Sequence, residues 1–406
     1  MLAPPHLLVN DFLINAVPSF WRAGRCKLGG MLTVKDLLAD LVSIDSVSAR
    51  SNQGVTDYAA RYAKNLGMRV ARLPYTDVNG VEKVNLIAFS GTDNAAGPFA
   101  LALVGHTDTV PYAADWTDAL RLTERDGKLY GRGSCDTKGY IAAALTALAQ
   151  TDLTALGKPL ALVLTADEEI GCFGAKRLAV SKALTARYAI VGEPTSLQPM
   201  RAGKGYCLAD VVVSGREGHS AYPAVGASAI FRAARLINAL EKLAEELKNE
   251  PNAAFTPPQT TLNVGLINGG TAKNIIAGEC RFTLEWRPVP GQRAEDVLQK
   301  LQAIVDAERL NDSDFTCEII PLRLDSGMET PPDSPLVELL ETATGQTAGT
   351  IAFGTEAPQM AELGAQAVVI GPGDIRVAHR TGEFVPVDEL EQCVDILARA
   401  IRHFCV

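Results

Sequence analysis

Between Gln53 and Leu66 the apolar positions are Val55, Tyr58, Ala59, Tyr62, Ala63 and Leu66, a spacing that predicts a helix with one buried face. MLTVKDLLADLVSIDSVS, opening at Met31, has the same amphipathic character. The runs that follow show no polar alternation: VNLIAF, FALALV, PLALVLT and YAIVG, then GTIAF and QAVVIG near the end. Helical stretches such as GYIAAALTALAQ lie between them, and a last helix is predicted from about Asp388 to Phe404. Strands that are apolar throughout and alternate with helices predict an α/β domain, a mostly parallel sheet flanked by helices. Ligands in such sheets sit beyond the carboxyl ends of the strands.

The middle of the chain has another rhythm. After Glu193 come YCLADVVVSG, a long helix from about Ala227 to Lys248, the alternating runs TTLNVGLI and ECRFTLEWR, and a helix from about Ala294 to Ala307. Alternation predicts a half-exposed antiparallel sheet, and the order of elements suggests a small α+β, ferredoxin-like insert. It is placed from 199 to 312, splitting the larger domain into 31–198 and 313–406. Residues 1–30 show no regular period and lack the basic start and small-residue cleavage site of a signal peptide. They are read as an extension that the fold does not need.

Composition narrows the function. The 406 residues are 47% hydrophobic, which leaves ample material for a large core. A net charge of −9 argues against a general nucleic-acid binder, and no apolar run is long enough to suggest a membrane span. The eight cysteines form no C-x-x-C pair, which favours reduced thiols and a cytoplasmic setting.

The candidate chemistry follows the strands. LVGHTDTVP places His106 and Asp108 just past one, a pattern that serves either as a hydrogen-bonded structural pair or as a metal ligand with its orienting carboxylate. YGRGSCDTKG ends on Asp136 before a helix, where an aspartate is commonly an N-cap. LTADEEIG crowds Asp167, Glu168 and Glu169 at the end of a buried run, where poorly solvated carboxylates need a positive partner. Glu193 in VGEPT and His379 in VAHRTGEF follow further strands. Two histidines and three or four carboxylates are too many ligands for one tetrahedral zinc. They suit two metals about 3.5–4 Å apart that share a carboxylate. Adjacent Glu168 and Glu169 cannot both face one way, so one can bind metal while its neighbour takes a proton from a water.

LVGHTDTVP, YGRGSCDTKG, TADEEIG, VGEPTSLQPMRAGKG, GHSAYP and AHRTGEFV, in order over about 31 to 406, resemble the dinuclear zinc metallopeptidase family. That family contains acetylornithine deacetylase, succinyl-diaminopimelate desuccinylase and carboxypeptidase-type hydrolases. The stretches LNVGLINGGTAKN, RPVPG and FGTEAP are most similar to the acetylornithine deacetylase branch.

The resemblance implies that His106 binds one metal, His379 the other, and Asp136 both, across a cis Asp136–Thr137 peptide. Glu169 and Glu193 would complete one metal each, Asp108 would orient His106, and Glu168 would be the general acid/base. The metals would be zinc, with cobalt as a substitute. The insert would be a lid and homodimerisation domain whose His219 reaches the partner's active site and helps hold the oxyanion. Asn274 and Arg287, with Gly354, Thr355 and Glu356, would contact substrate, Glu356 either meeting a distal ammonium or sitting in the first turn of a helix that starts near Thr355. On residue type alone His219 can also be read as a surface-turn histidine and Arg287 as a strand-face ion-pair partner, although a guanidinium fork suits an α-carboxylate. The implied reaction is deacetylation of N2-acetyl-L-ornithine in cytoplasmic arginine biosynthesis, with a metal-bridging water activated by Glu168. The alternatives are another N-acyl-amino-acid hydrolase, such as a desuccinylase or dipeptidase, or a non-catalytic metal-stabilised binding protein.

Overall fold

The computed structural model describes residues 32–406. The extension 1–30, and the expectation that the fold can do without it, lie outside the described residues. The first helix, Val34–Ser43, starts at a capping box formed by Thr33 and Asp36 and buries Leu37, Leu38 and Leu41. Gln53–Asn65 buries Val55, Ala59 and Ala63 as the periodicity requires.

A nine-stranded sheet forms the core of the larger domain. Its centre is parallel: Leu160–Thr165, Phe99–His106, Ala186–Val191 and Gln366–Val369 lie side by side in that order. Its margins are antiparallel, with Glu82–Ser90 and Arg69–Thr76 beyond Leu160–Thr165, and Met200–Gly203 joined to Gln366–Val369 and Met328–Glu329. Gly349–Ile351 pairs parallel to Met200–Gly203. The sheet is thus mixed. Strands buried on both faces carry no periodic mark of direction, which is why the apolar runs could not separate margin from centre.

Helix Lys138–Ala149 is buried from Lys138 to Leu148 and packs against Val387–Cys405 on one face of the sheet. Both apolar faces are filled: Leu101, Leu103, Leu162, Leu164 and Ile190 meet these helices, while Ala102, Val104, Val163 and Val191 pack on the other side.

The insert is a four-stranded antiparallel sheet under two helices, Ala229–Glu246 and Asp296–Asn311. Its strands are Tyr206–Ser214, Thr261–Gly269, Glu279–Arg287 and Thr316–Asp325, all paired antiparallel, with Tyr206–Ser214 between the last two. Cys207, Ala209, Val211 and Val213 point inward with Phe282, Leu284 and Trp286, and form a core separate from that of the main sheet. The sheet therefore draws on 206–325 rather than 199–312. Met200–Gly203 belongs to the large sheet, and the last insert strand lies past 312, where Pro321 and a register shift interrupt its alternation. Among the described residues no helix is long and apolar enough to cross a membrane.

Candidate active site

The parallel centre of the sheet delivers the chemistry to one edge. His106 is the last residue of its strand, Glu168 and Glu169 follow Leu160–Thr165, Glu193 lies two residues past Ala186–Val191, and His379 follows Gln366–Val369 after the Gly371–Gly373 turn. Asp136 stands ahead of the buried helix, joined to Thr137 by a cis peptide. It does not cap that helix. Its carboxylate faces two imidazoles, with His106 Nε2 3.0 Å from Oδ1 and His379 Nε2 3.1 Å from Oδ2. His379, a non-glycine residue held at φ 60°, also lies 2.9 Å from Glu169 Oε2.

The ligand atoms of His106, Asp136 and Glu193 lie within 4.8 Å of one another, and so do those of Asp136, Glu169 and His379. Asp136 is common to both triads. One oxygen each of Glu169 and Glu193 is buried without a hydrogen-bond partner among the described residues. A buried carboxylate oxygen left this way is costly unless a cation meets it. A set of imidazole nitrogens and carboxylate oxygens around a shared carboxylate is suited to two divalent cations, so the residues present fit the metals that the sequence implied.

The proton affinities reflect the same crowding. Burial pushes Glu168 up to about 8; His106 opposes this, and Glu169, Asp136 and Glu356 add to it. Burial and the acidic neighbours also hold Glu193 well above the carboxylate range. His106 is buried, which disfavours its charge, but the bond to Asp136 and the surrounding carboxylates raise it well above the ordinary histidine value. His379 is raised to about 10 by its bonds to Asp136 and Glu169. Burial alone would raise Asp136; the two imidazoles lower it instead.

A second layer of residues supports this cluster. Asp108 does not hold His106 Nδ1 through its carboxylate, which is 3.7 Å away. The Asp108 main-chain carbonyl does so at 3.0 Å. The carboxylate instead accepts from the Ser48 hydroxyl and from the amides of Glu168 and Glu169, and so shapes the acidic turn. Asp167 points away from the metal ligands, to Lys83 Nζ at 2.8 Å and the Tyr75 hydroxyl at 2.8 Å. Glu383, overlooked in the sequence, is fully buried, pairs with Arg132, and accepts from the amides of Gly133, Cys135 and Asp136. It lies within AHRTGEFV, but only its place under the Asp136 loop reveals its use.

The expected substrate residues fall into two groups. Cys172 Sγ donates to Glu168 Oε1 at 3.3 Å and approaches the Thr355 carbonyl, which brings Gly354, Thr355 and Glu356 beside the acidic turn. Glu356 is buried, accepts from the Thr165 hydroxyl and is pushed up to about 7, chiefly by burial. Arg287 reaches the same segment through the Ala352 carbonyl at 2.7 Å. His219 and Asn274 are neighbours on the insert: His219 pairs in register with Ile275, and Ser220 bonds the Asn274 carbonyl. The exposed His219 ring accepts from the Ala221 amide, and among the described residues it touches no metal ligand of its own chain.

Residues 102–403 match the profile described as peptidase family M20/M25/M40. The chain is 54% identical over 369 residues to an acetylornithine deacetylase of Myxococcus xanthus, covering 91% of this chain and 96% of that one. It is 37% identical to an acetylornithine deacetylase of Proteus mirabilis, with 92% and 97% covered. Among solved structures it is similar in fold to a tripeptidase of Staphylococcus aureus (TM-score 0.71, 22% identity, 91% and 97% covered). It is also similar to a dinuclear metal-binding peptidase of Bacillus subtilis (TM-score 0.65, 13% identity, 91% and 98% covered).

The geometry places Glu169 in a candidate ligand triad and leaves its neighbour Glu168 outside both. Glu168→Gln should keep both metals and lose roughly 10²–10⁴-fold in turnover, the usual cost of removing a general base. Glu169→Gln should bind less metal. Metal analysis beside a hydrolysis assay checks this, and a metal-poor Glu168→Gln with a metal-replete Glu169→Gln would reverse the two roles.

Without metal, the folded chain should weaken as pH rises. Glu168 (about 8) and Glu356 (about 7) hold protons when folded that they release when unfolded above about pH 4.5. His379 (about 10) does the same above about pH 6.5. In each case the native state binds more protons, so stability falls as pH rises through this window. Asp136, whose value is lowered, acts in the opposite sense only at more acidic pH. The Tm of chelator-treated protein should drop from pH 5 to 8, and excess divalent metal should flatten the curve by favouring the ionised carboxylates. A metal-free Tm that climbs over that range would contradict the uptake of protons by these groups on folding.

Proposed function

The chain belongs to peptidase family M20/M25/M40, and from that premise we propose that it removes the acetyl group of N2-acetyl-L-ornithine, giving L-ornithine and acetate as a step of arginine biosynthesis. The observation that carries the reading is the pair of ligand triads sharing Asp136, with Glu168 beside them and outside both. The names of the two deacetylase relatives support the choice of substrate.

His106, Asp136 and Glu193 would hold one divalent cation and Asp136, Glu169 and His379 the other. Bound there, zinc ions, or cobalt in their place, polarise an acyl carbonyl and make a water more acidic. Glu168 takes a proton from the attacking water as its oxygen adds to the acetyl carbon. When the carbon–nitrogen bond breaks, Glu168 returns that proton to the leaving amine. Glu356, buried beside the acidic turn, receives the distal ammonium of ornithine.

The insert is the lid and the homodimer interface. Thr261–Gly269 is an edge strand of its sheet and exposes Leu266 (70%) and Ile267 (57%), with Phe231 exposed at the start of the neighbouring helix. An exposed apolar edge is readily covered by a second copy across a two-fold axis. His219, which among the described residues touches no metal ligand of its own chain, would then serve the partner's site as a donor to the tetrahedral oxyanion, beside Asn274. The free described cysteines and the biosynthetic role suit a cytoplasmic enzyme.

A panel of N-acetyl- and N-succinyl-amino acids, assayed with zinc and with cobalt, should single out N2-acetyl-L-ornithine. Preference for a succinylated diacid would move the chain to the desuccinylase branch, and metal binding without hydrolysis would leave a binding protein.

Subunit mixing tests the shared site. His219→Ala should keep its metals and lose roughly 10²–10³-fold in turnover, as for loss of one oxyanion donor. After exchange with Glu168→Gln, heterodimers contain one site with both lesions and one with neither, so activity should return towards half of wild type per heterodimer. Demonstrated exchange without recovery would confine His219 to its own subunit.

A further inference from the structure

The geometry points to Arg323, on the last strand of the insert, as the residue that recognises the substrate's α-carboxylate, an assignment that rests on the acylamino-acid reading above. The scissile nitrogen and the carboxylate hang from the same carbon. The cation that binds the carboxylate must therefore sit within a few ångströms of the group that protonates the nitrogen. That group is Glu168. Cys172 Sγ is 3.3 Å from Glu168 Oε1, and Arg323 Nη2 is 3.7 Å from the same sulfur. A Cβ placed on Gly354 would lie 3.4 Å from that Nη2, so the guanidinium is also against the segment expected to contact substrate.

Arg323 has donors to spare. Its Nε bonds Asp325, and Nη2 meets only a weak sulfur acceptor. Among the described residues Nη1 donates to none. Asp325 does not neutralise the site, because Lys176 Nζ shares it at 2.6 Å, leaving two cations on one carboxylate. Arg287, the arginine expected for this task, is more fully engaged: Nε bonds Glu285 at 2.7 Å and Nη1 the Ala352 carbonyl at 2.7 Å. Both guanidinium groups stack on Tyr206, at 4.7 Å for Arg323 and 4.5 Å for Arg287, which holds Arg323 in a fixed plane suited to a carboxylate. Because Arg323 rides on the insert and Glu168 on the main domain, a bound carboxylate would also draw the two parts together.

The test compares kcat/KM for N2-acetyl-L-ornithine and its α-carboxamide in metal-loaded, full-length protein: wild type, Arg323→Met and Arg323→Gln. Wild type should prefer the acid by roughly 100-fold or more, the scale set by leaving a buried charge without its partner. In both variants the ratio should fall close to one, through loss on the acid with the amide little changed. Each ratio is taken within one preparation, so partial unfolding lowers both numbers and leaves it unaltered. A wild type that hydrolyses acid and amide equally well, or a variant that keeps the full wild-type ratio, would overturn the role of Arg323 while leaving the deacetylase reading intact. A wild type that hydrolyses neither would overturn both.

Discussion

One ionised carboxylate organises this molecule. Asp136 is almost wholly buried, yet two imidazoles on its two oxygens lower its proton affinity. Around it Glu168, Glu169 and Glu193 are driven the other way, towards holding protons, because burial and mutual repulsion both penalise their charge. Among the described residues this cluster is short of positive charge, with one oxygen each of Glu169 and Glu193 buried and unpartnered. Two divalent cations would resolve that deficit, and Glu168, which lies in neither triad, would stay available to move a proton as proposed above.

Holding such a cluster together requires scaffolding that does not itself depend on metal. Two further buried acids provide it by accepting from backbone amides. Glu383 gathers the loop that carries Asp136, with Arg132 balancing its charge. Asp108 gathers the turn that carries Glu168 and Glu169 and is tied back to Ser48. Lys83 does similar work behind the turn, pairing with Asp167 while donating to the Ser48 and Arg50 carbonyls. The backbone of the ligand loops is thus positioned by charged hydrogen bonds in a dry interior, where they are strong.

The insert has its own core and touches the site through polar contacts. Arg287 reaches the Ala352 carbonyl, Arg323 reaches Cys172, and Tyr206 carries both guanidinium groups. Contacts of this kind cost less to break than the packed interior of each part costs to rearrange. This division suits a site in which substrate charge helps to complete the catalytic arrangement.

Hydrophobic patterning was enough to read the classes of element and the presence of an insert, and motif placement was enough to gather the candidate ligands. Apolar runs marked the strands His106, Glu168, Glu193 and His379 follow, since residues just past buried parallel strands must emerge at one edge. The family resemblance then implied His106, Asp136, Glu169, Glu193 and His379 as the ligands, and the structure brings these side chains together. Strand direction at the sheet margins and the far boundary of the insert were not legible, because neither burial on both faces nor an alternation broken at Pro321 leaves a clean period. Nor could local sequence distinguish acids that serve the site from acids that serve the fold. Asp167 differs from Glu168 only by facing Lys83, Asp108 turns its carboxylate to amides rather than to His106, and Glu383 looks like any polar residue in a glycine-bearing turn. Arg323 was passed over for the same reason: its neighbours Cys172, Gly354 and Asp325 are brought to it by separate parts of the chain. Partners of a charge are set by contacts between distant segments, and only the folded chain decides them.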